Sequence, residues 1–253
     1  MMLARYERNL NALSESEVDA LASRTVAVVG CGGLGGYLLE YLGRLGVGSL
    51  IAADGDFFEE SNLNRQILSD AINIGDNKAE AAKKRMALVN PLVAFRALPL
   101  RIDAENGPDL LRGADLIMDA VDGIPSRFAL QETAEILGIP LVHGAVAGWY
   151  GQVTSVFPGD RTLDEVYGRN SGAEGRDRGI EARLGNFSFG PAAVAALQTA
   201  EAVKVLLGRG ERLRRRLLVV DLLENDFEIL DLRRPTAPGK EETAFTKRTL
   251  APN

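Results

Sequence analysis

A glycine-rich loop that directly follows a run of apolar residues is the strongest constraint on the fold. The run Thr25–Val29 is rich in β-branched residues and has no polar alternation, which is typical of a strand buried on both faces. Gly30, Gly32 and Gly35 then fit the pattern G-x-G-x-x-G at the start of an amphipathic helix, with Gly33 between them. Backbone N–H groups in such a loop, together with the helix N-terminus, can hold a phosphate. The pattern therefore predicts a nucleotide-binding βαβ unit.

An acidic residue follows the next predicted strand. The run Ser49–Ala53 ends in Asp54, which lies 19 residues beyond Gly35. A carboxylate at this position can accept hydrogen bonds from the ribose hydroxyls of a nucleotide. This feature predicts a bound nucleotide but does not distinguish NAD from ATP. A glycine-rich packing turn would explain the glycines but not Asp54.

The rest of the chain predicts an α/β fold. Strands are expected at 93–98, 116–121 and 141–145, and helices at 78–90 and 125–137. This alternation indicates βαβ units and a mainly parallel sheet. After Gly144 the rhythm changes, and the pattern predicts a strand at 152–157, a helix at 191–207 and a hairpin at 217–232, with an irregular segment at 158–186.

A polar segment after the second strand carries candidate phosphate ligands. It contains Asp56, the run Asn-Leu-Asn-Arg-Gln at 62–66, and Lys78. Arg65 offers a planar fork for phosphate oxygens, and Lys78 offers a point charge. Cations and a metal ion around a triphosphate stabilise phosphoryl and nucleotidyl transfer, and a dehydrogenase does not need this set. In isolation such residues are typical of a solvated loop, but here they indicate a triphosphate site.

Composition narrows the function classes. The chain has 253 residues and a net charge of −6, and nucleic-acid binding is unexpected because it needs clustered cations. One cysteine, Cys31, excludes an internal disulfide and a four-thiolate zinc site. No apolar run approaches about 18 residues, and the N-terminus has no apolar signal core. We therefore expect a cytoplasmic protein without a membrane span.

Five motifs together resemble the HesA/MoeB/ThiF family of ubiquitin-activating-like adenylyltransferases. They are the glycine loop, Asp54-Gly55-Asp56, the run at 62–66, Ile-Gly-Asp-Asn-Lys at 74–78 and Val-Asp at 121–122. The resemblance extends from Arg5 to Leu232. It implies a homodimer with the ThiF-like adenylating fold, in which a Rossmann-like, mainly parallel sheet is continued by antiparallel strands.

The resemblance also implies a reaction. The expected substrates are ATP with Mg²⁺ and a small ubiquitin-like sulfur carrier protein, of the ThiS or MoaD type, whose tail ends in Gly-Gly. The carrier carboxylate would attack the α-phosphate, giving an acyl adenylate and pyrophosphate. A sulfur donor, such as a cysteine desulfurase, would then form a thiocarboxylate for thiamine or molybdopterin biosynthesis.

Roles for single residues follow from the same resemblance. Asp54 would hold the ribose, and Arg65 and Lys78 would contact the phosphates. Asp122 would coordinate or orient magnesium. Arg8 would reach into the active site of the partner subunit. The full set expected at the nucleotide site comprises Gly30, Gly32, Gly33, Gly35, Asp54, Asp56, Asn62, Arg65, Gln66 and Lys78.

Three departures from the family pattern modify these expectations. The chain has no Cys-x-x-Cys pairs, so no structural zinc is expected. The segment 158–186 has no cysteine, so the enzyme is expected to stop at the acyl adenylate. Gly123 stands where the family usually has asparagine after Asp122. Cys31 is expected to be a packing residue.

The resemblance predicts one adenylation domain over residues 1–240. Within it we expect an N-terminal arm and helix at 1–24, a nucleotide-binding half at 25–145 and a carrier-binding half at 146–235. The crossover loop is expected at 158–186 and a solvated tail at 236–253. His143 is expected to be a hydrogen-bonded residue at a strand end. Trp149 and Tyr150 either flank the carrier tail or pack at the sheet edge.

Three alternative functions remain open from the sequence. One is adenylation of another carboxylate, such as that on a modified tRNA adenosine, which the acidic composition disfavours. The second is an NAD-dependent oxidoreductase, which leaves Arg65 and Lys78 unexplained. The third is a non-catalytic module that holds a carrier without activating it. The arginine run at 212–216 is either a solvated face or a contact for an acidic carrier.

Overall fold

The computed structural model describes residues 3–169 and 184–233. These residues form eight strands, seven α-helices and two short 3-10 helices, Ala4–Asn9 and Glu60–Asn62. The strands are β1 Thr25–Val29, β2 Ser49–Ala53, β3 Ala94–Leu98, β4 Leu116–Asp119, β5 Leu141–Ala147, β6 Tyr150–Val156, β7 Arg216–Asp221 and β8 Asp226–Asp231. The helices are α1 Glu15–Ala22, α2 Gly33–Leu45, α3 Lys78–Val89, α4 Gly107–Leu110, α5 Ile124–Leu137, α6 Thr162–Tyr167 and α7 Phe189–Leu207.

All eight strands belong to one sheet. Its order is β3-β2-β1-β4-β5-β6-β7-β8. The first five strands in this order are parallel, and β6, β7 and β8 extend the sheet as an antiparallel meander. The predicted fold, a mainly parallel sheet continued by antiparallel strands, is confirmed.

The core has two parts, one on each face of the sheet. Leu38 and Leu42 of α2 and Val194 of α7 belong to the larger cluster, which also takes in apolar residues of α1 and α3. Leu130 of α5 and Leu163 of α6 belong to the smaller cluster on the other face. Strands β1, β2 and β4 are buried between the two layers, which is why their sequences lack polar alternation.

The predicted element boundaries are close to those observed. The capping box at Ser14 and Glu17 starts α1, as the sequence indicates. Strand β5 continues to Ala147, two residues beyond the expected end, because it pairs with β6 along its whole length. Helix α6 lies inside the segment expected to be irregular. Residues 170–183 of that crossover segment, and the expected tail, 236–253, lie outside the described residues.

No helix within 3–169 or 184–233 is long and apolar enough to cross a membrane. The expectation of no membrane span rests on the same hydropathy argument.

Candidate functional site

The glycine loop lies where the order of the sheet reverses, between β1 and β4. Ligands bind in the crevice at such a point, at the carboxyl ends of the strands. The loop is packed tightly: a Cβ added at Gly30, whose φ is +92°, would lie 2.4 Å from the Ala120 carbonyl oxygen. A Cβ added at Gly35 would lie 1.7 Å from the Gly30 carbonyl oxygen. These contacts require glycine and hold the loop against the turn that follows β4.

Asp54 braces this loop from the end of β2. One carboxylate oxygen, Oδ2, accepts a hydrogen bond from the backbone N–H of Cys31 at 2.7 Å. The other, Oδ1, accepts one from the backbone N–H of Asp56 at 2.8 Å. Burial raises the pKa of the Asp54 carboxyl above its ordinary value, against these two N–H donors and the nearby Lys78. Each oxygen retains acceptor capacity, so the carboxylate can still receive ribose hydroxyls.

Cys31 faces the core rather than the crevice. Its side chain is buried, and burial together with the negative charge of Asp54 raises the pKa of the thiol well above its ordinary value. The thiolate, not the thiol, is the nucleophile, so this cysteine is poorly suited to covalent catalysis. The prediction that Cys31 is a packing residue is confirmed.

Lys78 brings a buried positive charge to the same place. It is the first residue of α3 and is only 8% exposed. Its backbone N–H donates to the Asp56 carbonyl oxygen at 3.0 Å, and its Nζ lies 3.8 Å from Asp56 Oδ2. Arg101 donates to the other oxygen of that carboxylate at 2.8 Å, which holds the pKa of Asp56 below its ordinary value. Within the described residues, Lys78 Nζ makes no hydrogen bond.

The polar run at 62–66 closes the other side of the glycine loop. Asn62 is buried, and its Oδ1 accepts a hydrogen bond from the Glu59 N–H at 3.1 Å. Arg65 donates to the Ser61 carbonyl and to Asn64 Oδ1, so its guanidinium is held by its own loop. Gln66 is buried against Gly32, and its Oε1 has no hydrogen-bond partner in the part of the chain that the structure describes.

Asp122 lies on the exposed side of the crevice. It follows β4 by three residues, in the turn whose Ala120 contacts the glycine loop. Among residues 3–169 and 184–233, nothing donates a hydrogen bond to its carboxylate. No group of three or more His, Cys, Asp or Glu residues in these ranges could hold a metal ion. A single carboxylate still fits magnesium, which usually binds to one or two carboxylates and to the phosphates of a substrate.

The comparisons with known proteins identify the family. The model of the ThiF family matches residues 6–241. The chain belongs to the ThiF family. Its relatives include the sulfur carrier protein adenylyltransferase of Thermus thermophilus. This chain and the Thermus thermophilus protein are 40% identical over 252 residues, which cover 95% of this chain and 92% of that protein.

Two further matches agree with this assignment. The SAMP-activating enzyme E1 of Haloferax volcanii is 35% identical over 236 residues, covering 91% of this chain and 86% of that protein. The crystal structure of E. coli MccB with MccA-N7isoASN aligns with a TM-score of 0.77 and 21% identity. It covers 93% of this chain and 73% of that one. At that identity the likeness shows the fold alone. The resemblance given by the sequence motifs is confirmed.

Arg8 of this ThiF-family chain does not join the other predicted site residues. It lies in the 3-10 helix Ala4–Asn9, whose Tyr6 is buried against Gly46 and accepts a hydrogen bond from Asn90 at 2.8 Å. Gly46 follows the C-terminus of α2, and the glycine loop precedes its N-terminus. A 13-residue helix is about 20 Å long, so Arg8 is anchored far from the phosphate site of its own chain.

Sequence reasoning missed a buried polar network beneath the site. It contains Asp119, Arg127, His143, Gln152 and Tyr167. These residues come from β4, α5, β5, β6 and α6, so no local spacing relates them. The one available signal is the acidic residue Asp119 at the end of an apolar run. His143 is hydrogen-bonded as predicted, although it lies inside β5 rather than at its end.

Two other surface features have a structural explanation. Trp149 packs against Phe187 and Phe189, with ring centroids 4.9 and 5.2 Å away. Both phenylalanines are exposed, so this cluster lies at the protein surface rather than in the core. In the arginine run, three members form ion pairs within the chain: Arg214 with Asp160, Arg215 with Glu165 and Arg216 with Glu211. These pairs favour the solvated face that was one interpretation of the sequence.

Proposed function

We propose that the chain is an ATP-dependent adenylyltransferase whose substrate is the C-terminal Gly-Gly carboxylate of a ubiquitin-like sulfur carrier protein. Membership of the ThiF family supports this assignment. So do the names of its relatives, the sulfur carrier protein adenylyltransferase of Thermus thermophilus and the SAMP-activating enzyme E1. These proteins match this chain over most of their own length.

The ammonium group of Lys78 is the observation that carries the proposal. It is a buried charge with no hydrogen-bond acceptor in the described residues, and it lies beside a glycine loop already shaped by Asp54. The carboxylate of Asp56, 3.8 Å away, is too far to accept a hydrogen bond from this buried ammonium, so the site is suited to an anion that supplies acceptors. The phosphates of ATP would meet Lys78 and Arg65, and the ribose would meet Asp54. Gln66 Oε1 offers a further free acceptor beside Gly32.

These groups suit the attack of a carboxylate on a phosphate. The carrier carboxylate is already ionised at neutral pH, so no general base is required. One of its oxygens would bond to the α-phosphorus while the bond from that phosphorus to the bridging oxygen of pyrophosphate breaks. Lys78 and Arg65 would neutralise the two anions that must approach and the pyrophosphate that leaves. Asp122 would hold Mg²⁺, which when bound supplies further charge neutralisation at the phosphates.

The reaction is proposed to end at the acyl adenylate. Cys31 is the one cysteine of the chain and its thiol is buried, so no enzyme thioester is expected. Sulfur would come from an external donor such as a cysteine desulfurase. Family membership points to a ubiquitin-like sulfur carrier but does not name it, and thiamine and molybdopterin biosynthesis are the candidate pathways. The single domain at 1–240 and the cytoplasmic location remain predictions.

Arg8 is proposed to act in a homodimer. Its anchor at the far end of α2 keeps it from its own phosphate site, whereas an arm in this position could reach a second copy. Mixing Arg8→Ala subunits with Asp122→Ala subunits should restore part of the activity, since one mixed site keeps both residues. Recovery should appear only once heterodimers form. Confirmed heterodimers without recovery would contradict a role in trans.

Pyrophosphate–ATP exchange tests the proposed reaction. Labelled pyrophosphate should enter ATP only in the presence of a Gly-Gly-ended carrier, and the same carrier lacking its last glycine is the matched control. Exchange with neither carrier, while ATP binds normally, would favour a non-catalytic module. Hydride transfer from NADH would instead indicate the oxidoreductase alternative.

A further inference from the structure

A histidine and an aspartate form a fully buried pair beneath the candidate site. His143 Nδ1 lies 2.6 Å from Asp119 Oδ2, and both side chains are 0% exposed. His143 is the one histidine of the chain. The reaction proposed above uses neither residue. A buried carboxylate requires partners that satisfy both of its oxygens, so this pairing is a constraint on the turn that follows β4.

Asp119 fixes the turn that leads to Asp122. Its Oδ1 accepts a hydrogen bond from the Val121 N–H at 3.1 Å, and its carbonyl oxygen accepts one from Gln198 Nε2 at 2.8 Å. The Val121 carbonyl in turn accepts from Arg127 Nη2 at 3.2 Å. Asp122 is the next residue along the chain. The position of its exposed carboxylate therefore depends on the orientation of the Asp119 side chain.

The far side of the imidazole is held by Tyr167. The Tyr167 hydroxyl lies 2.9 Å from Arg127 Nη1 and 2.7 Å from Gln152 Nε2, two nitrogens that can only donate. The hydroxyl accepts both bonds, so its own hydrogen is available to His143 Nε2 at 3.0 Å. Gln152 Nε2, which can only donate, also lies 3.2 Å from His143 Nε2. Because Nε2 accepts hydrogen bonds, the proton of a neutral imidazole is on Nδ1, where it is donated to Asp119.

We propose that His143 is a positioning residue for Asp122. In its neutral Nδ1–H form it connects Tyr167, at the end of α6, to Asp119, and Asp119 holds the turn that presents the Asp122 carboxylate. The hydrogen-bond network follows from the distances given above. Its consequence for Mg²⁺ rests on the proposed function, in which Asp122 holds the metal with ATP.

Nuclear magnetic resonance of the imidazole tests the network directly. In the full chain with isotopically labelled histidine and no histidine tag, a single imidazole should give signals. At neutral pH these should show a protonated Nδ1 and an unprotonated Nε2. Replacing Tyr167 by phenylalanine removes one of the two donors to Nε2, leaving Gln152 as the other, and should change the Nε2 signal. A proton on Nε2 in the unmodified protein, or a spectrum unchanged in Tyr167→Phe, would overturn the proposal.

Magnesium dependence tests the consequence without any carrier. ATP binding is titrated calorimetrically at increasing Mg²⁺ concentrations. His143→Leu removes the donor to Asp119 and should raise the half-saturating Mg²⁺ concentration about tenfold, the usual effect of losing a residue that orients a metal ligand. His143→Asn keeps an N–H donor of similar reach and should recover most of the affinity. A purely structural role would reduce the fraction of binding-competent protein without moving the half-saturating concentration.

The outcomes separate this inference from the proposed function. If folded His143→Leu binds ATP with unchanged Mg²⁺ dependence, the inference is wrong even when the unmodified protein catalyses exchange. If no carrier supports exchange but the imidazole signals and Mg²⁺ dependence are as expected, the inference holds and the proposed substrate is wrong. If His143→Leu fails to fold, the half-saturating Mg²⁺ concentration of His143→Asn and the Nε2 signal of Tyr167→Phe test the inference instead.

Discussion

The turns after β2 and β4 each carry an aspartate at the edge of the crevice, but the protein treats the two carboxylates in opposite ways. Asp54 is half-buried, and its oxygens accept hydrogen bonds from two backbone N–H groups. Asp122 is exposed and accepts none from the described residues. The first carboxylate shapes the glycine loop before any ligand arrives, and the second is left available to a ligand. Asp54 is therefore part of the framework of the site, whereas Asp122 is a candidate to bind the ligand.

The glycine loop lies between these two turns. Among the substitutions proposed, Gly35→Ala is expected to have the largest effect on stability and on ATP binding. Helix propensity alone would stabilise the variant by about 1 kcal/mol. The added Cβ, however, would lie 1.7 Å from a backbone oxygen that cannot move aside. We expect a loss of at least about 3 kcal/mol in the free energy of unfolding, together with loss of ATP binding.

Gly33→Ala is the matched control for that substitution. Its Cβ would meet the Pro191 ring at 3.3 Å, a contact that needs a shift of only a few tenths of an ångström. Its free energy of unfolding should change by less than about 1 kcal/mol. Urea unfolding measures both variants. A stabilised Gly35→Ala protein would contradict the packing described for the loop.

Lys78→Gln tests the buried charge at the N-terminus of α3. Without the buried ammonium, the phosphates lose a charged partner, and kcat/KM for ATP in the exchange reaction should fall about 100-fold. Lys84→Gln on the same helix is the control, because Lys84 is 71% exposed and pairs with Asp76. Its kinetics should match those of the unmodified protein. Equal losses in the two variants would show that the effect comes from the helix and not from the site.

Asp54→Asn and Asp122→Asn compare the two turns directly. The Asp54 change directs an amide NH₂ at a backbone N–H and should lower the free energy of unfolding by about 1–3 kcal/mol. The Asp122 change should leave that free energy within about 0.5 kcal/mol, while exchange falls at least about tenfold. Thermal unfolding and exchange rates are measured on both proteins. A destabilised Asp122→Asn protein would remove the contrast between the turns.

Arg101→Gln gives the smallest expected effect. Arg101 holds the pKa of Asp56 below its ordinary value of 3.8. A lowered carboxyl pKa stabilises the folded state above that ordinary value, and the contribution is lost as the pH falls through the folded-state pKa. Because Arg101 is 84% exposed, the loss near neutral pH should be below about 0.5 kcal/mol and should shrink in salt.

The control for Arg101→Gln is Arg112→Gln, which breaks the similarly exposed pair with Asp109. Because both side chains of that pair are exposed, its loss should change the free energy of unfolding by no more than Arg101→Gln does. Unfolding free energies are measured from neutral pH to well below the ordinary carboxyl pKa. A loss in Arg101→Gln that persists at the acid end would show that the arginine acts through packing rather than through Asp56.

Local patterns account for what the sequence could predict. The apolar run of β1, the glycines behind it and the cap at Ser14 each act within a few residues, so their structures follow from spacing alone. Asp54 could be predicted because its distance from the glycine loop is set by one βα unit. The end of β5 was less predictable, since its last residues are strand only through pairing with β6.

The features that escaped prediction depend on contacts between distant segments. Helix α6 has only six residues and little apolar periodicity, yet Leu163 is buried in the core and Gln131 accepts its N–H. The other members of the His143 network come from four other elements, so the sequence could show a histidine but not its network. The position of Arg8 depends on where Tyr6 packs, which no local pattern encodes.

Transfer of isotopically heavy oxygen tests the central claim most directly. A Gly-Gly-ended carrier labelled in its terminal carboxylate is incubated with the protein, ATP and Mg²⁺, and the adenylate is then discharged with a nucleophile other than water. The released AMP should carry one labelled oxygen, because the carboxylate oxygen bonds to the α-phosphorus. Unlabelled AMP, or label in the released pyrophosphate, would contradict adenylation of the carrier carboxylate.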